Sequence, residues 1–450
     1  MRLRPRQKTF VERSVAALAS RGNTLGVAPT GAGKTIMLSA VTGEMIGDGA
    51  KACVLAHRDE LTAQNRAKFQ RVVPGVSTSV IDATEKSWGG QVAFAMVPTL
   101  ARASNLADMP RLDLLVIDEA HHAVADSYRR IIDRVREANP DARIFGVTAT
   151  PNRGDKKGLR EVFDNVADQV RLGELIASGH LVPPRTFVID VGVQDELRSV
   201  RKTLSDFDMT EVAGIMDRAP VTDEVIRHWK EKAVERQTVV FCSTVAHAEH
   251  VAEAFRAAGI TAALIHGDLA SDTRKALLAN YAAGNIRVIV NVAVLTEGWD
   301  HPPTSCVVLL RPSSYKSTMI QMVGRGLRIV DPEEHPGIVK TDCVVLDFGT
   351  SSLIHGTLEQ DVDLEGKTET GDAPTKCCPG CGADIPLAAT ECLLCGEVFP
   401  REEEETGEGD DAIPLSGFIM TVIDRRGMGV DLIPEAAKRY LLPEDAGFLD

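Results

Sequence analysis

Aromatic side chains are scarce in this 450-residue chain, which holds three Trp, four Tyr and 13 Phe. Such scarcity argues against an extended platform for stacking nucleic-acid bases. No apolar run is long enough to cross a bilayer, and no signal-peptide core follows the opening Met1-Arg-Leu-Arg4. A cytoplasmic chain without membrane contact is therefore expected. A disulfide framework is also lacking. Cys53, Cys242, Cys306 and Cys343 fall singly in strand-like or core positions, while the other five of nine cysteines crowd between Cys377 and Cys395. That distribution suits a metal site in a reducing compartment.

Nor is there an overall basic excess, since the net charge is −14. The acidity is local. Residues 1–355 carry 43 Lys and Arg against 42 Asp and Glu, whereas residues 356–411 carry 3 against 16. The body is thus neutral enough to bind phosphates in a groove. The run Glu402-Glu-Glu-Glu405 reads as a solvated linker, with a specific partner site as the rival reading.

What is present is alternation. Short apolar runs at Leu25–Ala28, Ala52–Ala56, Val92–Met96, Leu112–Ile117 and Ile144–Val147 are separated by helical or loop-like stretches. The pattern returns at Thr238–Phe241, Thr261–Ile265, Val288–Val292, Cys306–Leu310 and Val344–Leu346. It predicts an α/β chain with two parallel-sheet lobes in tandem. The expected division is a first lobe over 1–180, a connector and lead-in to the second lobe over 181–235, and a second lobe over 236–355. An acidic linker (356–373), a cysteine module (374–400), a second acidic linker (401–411) and a C-terminal segment (412–450) without assignable chemistry follow.

Ala28-Pro-Thr-Gly-Ala-Gly-Lys-Thr35 follows the first run and precedes a helix-prone stretch. Gly31 and Gly33 let backbone N–H groups face phosphate oxygens, Pro29, Thr30 and Ala32 complete the loop, and Lys34 brings charge to the outer phosphates. The Thr35 hydroxyl suits Mg²⁺. Asp118-Glu-Ala-His-His122 ends the fourth run, so two carboxylates emerge where ligands bind in such sheets. Asp118 is the expected second Mg²⁺ ligand and Glu119 the expected base for water. The two motifs together imply hydrolysis of a nucleoside triphosphate such as ATP.

Further segments make the chain resemble superfamily 2 helicases and translocases of the DEAH-box kind over roughly residues 1–350, which implies two RecA-like lobes. Arg4-Pro-Arg-Gln7 is similar to the adenine-reading motif, Leu55–Leu61 to motif Ia, and Val97–Leu100 to motif Ib. Thr148-Ala-Thr150 resembles the motif that couples hydrolysis to domain movement, with His121 as a further coupling residue. In the second half Val239–Thr244 resembles motif IV, Thr296-Glu-Gly-Trp-Asp300 motif V, and Gln321–Arg328 motif VI. Gly298 and Asp300 are then expected at ATP. Arg325 and Arg328, three apart on a predicted helix and so on one face, are expected as arginine fingers, with Gln321 ordering that surface. The resemblance places His57, Arg58, Thr99, Ser243 and Thr244 on strand-gripping surfaces.

The segments Ala56–Leu61, Glu297–Pro302 and Arg311-Pro312 are most similar to RadD-type bacterial and phage DNA-repair helicases, which often carry a C-terminal zinc module. Here Cys378-Pro-Gly-Cys381 and Cys392-Leu-Leu-Cys395 form two knuckles suited to tetrahedral Zn²⁺. The expected function is an ATP-dependent DNA helicase or translocase, in repair, recombination or phage replication. RNA as the substrate, or an ATP-gated DNA clamp recruiting a protein partner through the zinc module or acidic tail, are the alternatives. His247 and His250 read as surface residues, and His266 and His301 as structural or strand-proximal.

Overall fold

The computed structural model describes residues 3–47, 49–57, 59–151, 158–201, 206–296, 298–313, 315–356, 358, 364 and the short strands Thr375–Cys377, Asp384–Pro386, Met420–Ile423 and Gly429–Leu432. The chain divides into two compact units, Met1–Leu172 with Asp361–Glu369, and Gly173–Gln360 with Thr370–Asp450.

The first unit is built on seven strands: β1 (Thr24–Val27), β2 (Ala52–Ala56), β3 (Thr78–Ile81), β4 (Val92–Met96), β5 (Leu114–Asp118), β6 (Arg143–Thr148) and β7 (Asn165–Gln169). Their order is β3-β4-β2-β5-β6-β1-β7, and all pairs are parallel. β1, β2 and β5 are buried throughout, as expected of strands covered on both faces. The order puts β5, β6 and β1 side by side, so the loops leaving their carboxyl ends are neighbours. Helix α1 (Pro5–Arg21) lies close on β1 because Gly26 has no Cβ, and the Phe10 ring fills that space. Asp168 on β7 anchors the same helix through Arg6 and Arg13.

The second unit holds β8 (Pro184–Ile189), β9 (Thr238–Phe241), β10 (Ala262–Ile265), β11 (Val288–Asn291), β12 (Cys306–Leu309) and β13 (Cys343–Asp347). After the small pair β14 (Thr375–Cys377) and β15 (Asp384–Pro386) come β16 (Met420–Ile423) and β17 (Gly429–Leu432). The main sheet runs β10-β11-β9-β12-β13-β8-β16-β17, parallel except for the β16–β17 pair.

Residues 181–235, expected as a connector and lead-in to the second lobe, are part of this unit. β8 pairs with β13, and Leu197, Val212, Val225 and Trp229 join its core. Residues 412–450 supply two strands of the same sheet. The expected acidic linker at 356–373 also has a structural part. Leu364 packs on the first unit's core, and its carbonyl accepts the Arg160 N–H at 3.0 Å.

The four scattered cysteines are buried free thiols, as their positions suggested. His247 is a correction. It is 1% exposed and bonded to Ser243, and burial pushes its pKa down to about 4. Among the described residues, no helix is long and apolar enough to cross a membrane.

Candidate nucleotide site

The phosphate loop turns at Gly31 and Gly33, whose φ values of +90° and +84° lie in the left-handed region that favours glycine. Gly33 also begins helix α2 (Lys34–Met45), which directs the free N–H groups of its first turn into the loop. Gln7 braces the loop from beneath. Its Nε2 donates to the Ala32 carbonyl at 3.0 Å, and its Oε1 accepts the Arg4 N–H at 3.0 Å. A Cβ at Gly33 would stand 2.5 Å from that Nε2, so glycine is needed for the brace as well as for the turn.

Asp118 ends β5 nearly buried, with both oxygens held. Oδ1 accepts the Glu119 N–H at 3.0 Å, and Oδ2 accepts from Asn65 Nδ2 at 2.9 Å. Each such bond to a charged group contributes about 1.5–3 kcal/mol. Glu119 has φ +49°, a left-handed conformation that costs a non-glycine residue roughly 1–2 kcal/mol. The turn Ala120–His122 that follows packs onto β6 because Gly146 is bare, and a Cβ there would lie 2.7 Å from Ala120 Cβ. Glu119 is thereby swung toward the phosphate loop, with Oε1 3.8 Å from Lys34 Nζ. His121 Nδ1 stands 3.5 Å from Glu119 Oε2.

Thr148, ending β6, joins the three loops. Its carbonyl accepts the Ala28 N–H at 2.9 Å, its hydroxyl lies 3.0 Å from His121 Nδ1, and the same hydroxyl accepts the Thr150 N–H at 3.1 Å. The rings of His121 and His122 are 4.1 Å apart, and His57 follows 5.0 Å from His122. The residues singled out at the ends of β1, β5 and β6 thus converge on one edge of one sheet. Asn65 was missed. Its signal was an amide standing with Thr62 and Phe69 on the inward face of helix α3 (Asp59–Val72), where all three are buried.

In the second unit the helix Lys316–Gly324 carries Gln321, which is buried. The expectation of two arginines on one helical face is overturned. The helix ends at Gly324, and Arg328 sits in a bridge with Leu181. A Cβ at Gly326 would overlap Cys343 Sγ, so the chain descends there onto β13 instead of continuing as helix. Arg325 is 7% exposed and clips the motif V loop. Its Nη1 donates to the Trp299 carbonyl at 2.7 Å, and its Nε and Nη2 donate to the Thr296 carbonyl at 3.0 and 2.6 Å. Arg328 is more exposed and pairs with Asp300.

A second cation, unforeseen, holds the other end of this loop. Lys340 Nζ donates to the Pro302 and Thr304 carbonyls at 2.7 and 2.6 Å, and burial pushes its pKa down to about 8. Gly298, at φ +76°, lets the loop turn between the clips. His301 is buried against Thr304, and desolvation pushes its pKa down to about 4.

The proposed strand-gripping residues differ in exposure. His57 is half-buried, whereas Thr99 and Ser243 are buried. Thr244 caps the helix Val245–Ala257 through its hydroxyl. Arg58 and the cysteines expected at zinc, Cys378, Cys381, Cys392 and Cys395, lie outside the described residues. Among the described residues no cluster of His, Cys, Asp or Glu is arranged to hold a metal by itself.

The chain is similar to several known proteins. Residues 1–153 match the family model "Type III restriction enzyme, res subunit", and residues 219–330 match "Helicase conserved C-terminal domain". IRC3 of Saccharomyces cerevisiae, named as an ATP-dependent helicase, is 28% identical over 78% of this chain and 52% of its own length. The irc3 protein of Schizosaccharomyces pombe, named as a mitochondrial ATP-dependent helicase, is 30% identical over 81% of this chain and 60% of its own. The chain thus spans between half and three fifths of these relatives. A solved fragment assigned as an HsdR subunit of a type I restriction enzyme from Vibrio vulnificus YJ016 has the same fold, with a TM-score of 0.60 at 22% identity, covering 81% of this chain and 66% of that one. Both models match in tandem, one on each of its two parallel-sheet units, so the chain is similar to helicases of superfamily 2 over both.

Proposed function

We propose that this chain is a nucleic-acid-dependent ATPase that couples hydrolysis to movement on DNA, as a DEAH-like motor of the RadD type. The observation that carries the reading is the convergence of Lys34, Asp118, Glu119 and Thr148 at the carboxyl edge of one sheet. There, in this reading, the free N–H groups of the phosphate loop and Lys34 bind the phosphates. Thr35 and Asp118 offer hard oxygen donors of the kind Mg²⁺ prefers. Bound Mg²⁺ would neutralise charge on the β- and γ-phosphate oxygens.

Glu119 orients the attacking water and takes its proton. Arg4 and Gln7 read the base, while Gly298 and Asp300 serve the sugar-phosphate side. Arg328 is the second unit's γ-phosphate ligand, and Arg325 and Gln321 keep motifs V and VI in register with it. Hydrogen bonds through Thr148 give His121 and Thr150 a direct link to the phosphate loop, which supports their coupling role. Contacts to the strand are to the backbone and are blind to sequence. Since Thr99 and Ser243 are buried, their part in gripping a strand falls to the main chain, with His57, Arg58 and Thr244 beside them. The substrate is DNA in preference to RNA, on the RadD-like segments.

The test is steady-state ATP hydrolysis without polymer and with single-stranded, duplex or branched DNA, or RNA, using Glu119→Gln as control. Stimulation by DNA alone is expected. Stimulation by RNA alone would reassign the substrate. Glu119-dependent turnover indifferent to both would favour a partner-gated clamp.

The four thiolates at Cys378, Cys381, Cys392 and Cys395 fit tetrahedral Zn²⁺ by donor set and spacing. Bound zinc would supply folding energy to a segment too small for a core. One zinc per chain is expected by elemental analysis of freshly purified protein, falling to none in a Cys381→Ser, Cys395→Ser double variant. Metal-free native protein would remove the module from this reading.

A further inference from the structure

The Asp118 carboxylate is expected to act on Mg²⁺, yet it does not stand alone at the end of β5. Asn65 reaches it from helix α3, 53 positions away in sequence, through Nδ2 at 2.9 Å from Oδ2. Asn65 is 2% exposed and Asp118 5%. In so enclosed a place a side-chain amide has few partners, and an amide pointed elsewhere would lose its hydrogen bond. The main-chain N–H of Glu119 holds the other oxygen. Two donors approaching from fixed elements define the carboxylate plane and leave its remaining lone pairs on a set side.

We propose that Asn65 is a positioning residue for metal binding. It holds Asp118 in the one orientation from which that carboxylate can serve Mg²⁺, directly or through a bound water. This rests on the assignment of Asp118 to the metal. Three alternatives at position 65 would act differently. Leucine keeps the volume and removes the donor. Aspartate keeps the shape and replaces the donor with a second carboxylate, which repels Asp118 and competes for the cation. Serine is smaller but keeps a donor on the same face. A bulk packing role would not distinguish serine from leucine in this order, because serine leaves the larger void.

The experiment measures Mn²⁺ binding by electron paramagnetic resonance, with the full chain and a non-hydrolysable ATP analogue. The affinity for the analogue in EDTA is measured in parallel, as is the Mg²⁺ concentration giving half-maximal ATP turnover. Replacing residues that orient a metal's ligands typically weakens metal affinity about 10- to 100-fold. Asn65→Leu and Asn65→Asp are accordingly expected to weaken Mn²⁺ binding by about tenfold or more, and to raise the Mg²⁺ requirement in step. Metal-free binding of the analogue should stay unchanged. Asn65→Ser should lie nearer the unsubstituted chain than Asn65→Leu.

Asp118→Asn separates the two layers of the argument. If it weakens Mn²⁺ binding while the Asn65 variants bind within twofold of the unsubstituted chain, Asn65 has no positioning role and the metal assignment stands. Unchanged Mn²⁺ binding in Asp118→Asn would overturn both. Equal loss of metal-free and metal-dependent nucleotide binding in Asn65→Leu, Asn65→Asp and Asn65→Ser would mark the residue as structural and overturn the proposal.

Discussion

Replacing Glu119 by Gln is expected to lower steady-state ATP turnover by about 10²- to 10⁴-fold, the range supplied by a positioned general base. The substitution keeps the shape of the side chain and removes the carboxylate that faces Lys34 across 3.8 Å. The left-handed turn at Glu119 is held by its main-chain N–H on the Asp118 carboxylate and by the bare Gly146, so the loop should keep its course. Nucleotide should therefore still bind, and the protein should still unfold cooperatively at a similar temperature. Lys34→Ala should differ by weakening nucleotide binding together with turnover. The check is ATP hydrolysis beside equilibrium binding of a fluorescent ATP analogue. Turnover by Glu119→Gln within threefold of the unsubstituted chain would remove Glu119 from the reaction.

The second large effect concerns two arginines that share a motif but not an environment. Arg328→Ala is expected to cut turnover about 10³-fold or more, the usual worth of an arginine that meets the transferring phosphoryl group. Its stability should change less than that of Arg325→Ala, because its partner Asp300 is open to water, which screens the pair. Arg325→Ala should lower turnover as well, by another route. The Thr296 and Trp299 carbonyls lose a buried donor, at a cost of about 1–3 kcal/mol for each group left unsatisfied. Urea unfolding monitored by tryptophan fluorescence should show that loss, and Trp299 in the released loop should become more accessible to a quencher. Equal stability of the two variants would mean that the clip seen at Arg325 contributes nothing. Normal turnover by Arg328→Ala would leave the γ-phosphate without its proposed ligand from the second unit.

Much of the nucleotide site was legible because its residues lie where strands stop. An apolar run announces its own end, and a phosphate loop or an acidic pair placed there has only one edge of the sheet to occupy. The central strands of both sheets were legible for the same reason, since burial on both faces leaves a nearly continuous apolar run. β8 was harder to see. Pro184-Arg-Thr-Phe-Val-Ile189 begins with a proline, which reads as a loop, and its pairing with β13 is a contact over more than 150 positions. β16 and β17 are four residues each and lie beyond the acidic linkers and the cysteine module, so nothing local ties them to the second sheet.

Partners of the backbone were also invisible. Arg325 stands out in sequence for its charge and spacing, while the carbonyls of Thr296 and Trp299 that accept from it carry no letter of their own. The same holds for Lys340 at Pro302 and Thr304. Asn65 was overlooked for a different reason, because one amide on a helix gives no hint of a carboxylate 53 residues ahead.

Leu364 has a consequence for how the protein is made. The first unit is discontinuous, and its last piece, Asp361–Glu369, is translated only after residues 173–360 of the second. At synthesis rates of about 5–20 residues per second, that delay is roughly 10–40 s. For that interval the nascent first unit leaves the Arg160 N–H without the Leu364 carbonyl, and the apolar spot under Leu364 bare. A ribosome-associated chaperone has its opportunity there, and a stalled ribosome would expose the same place for longer.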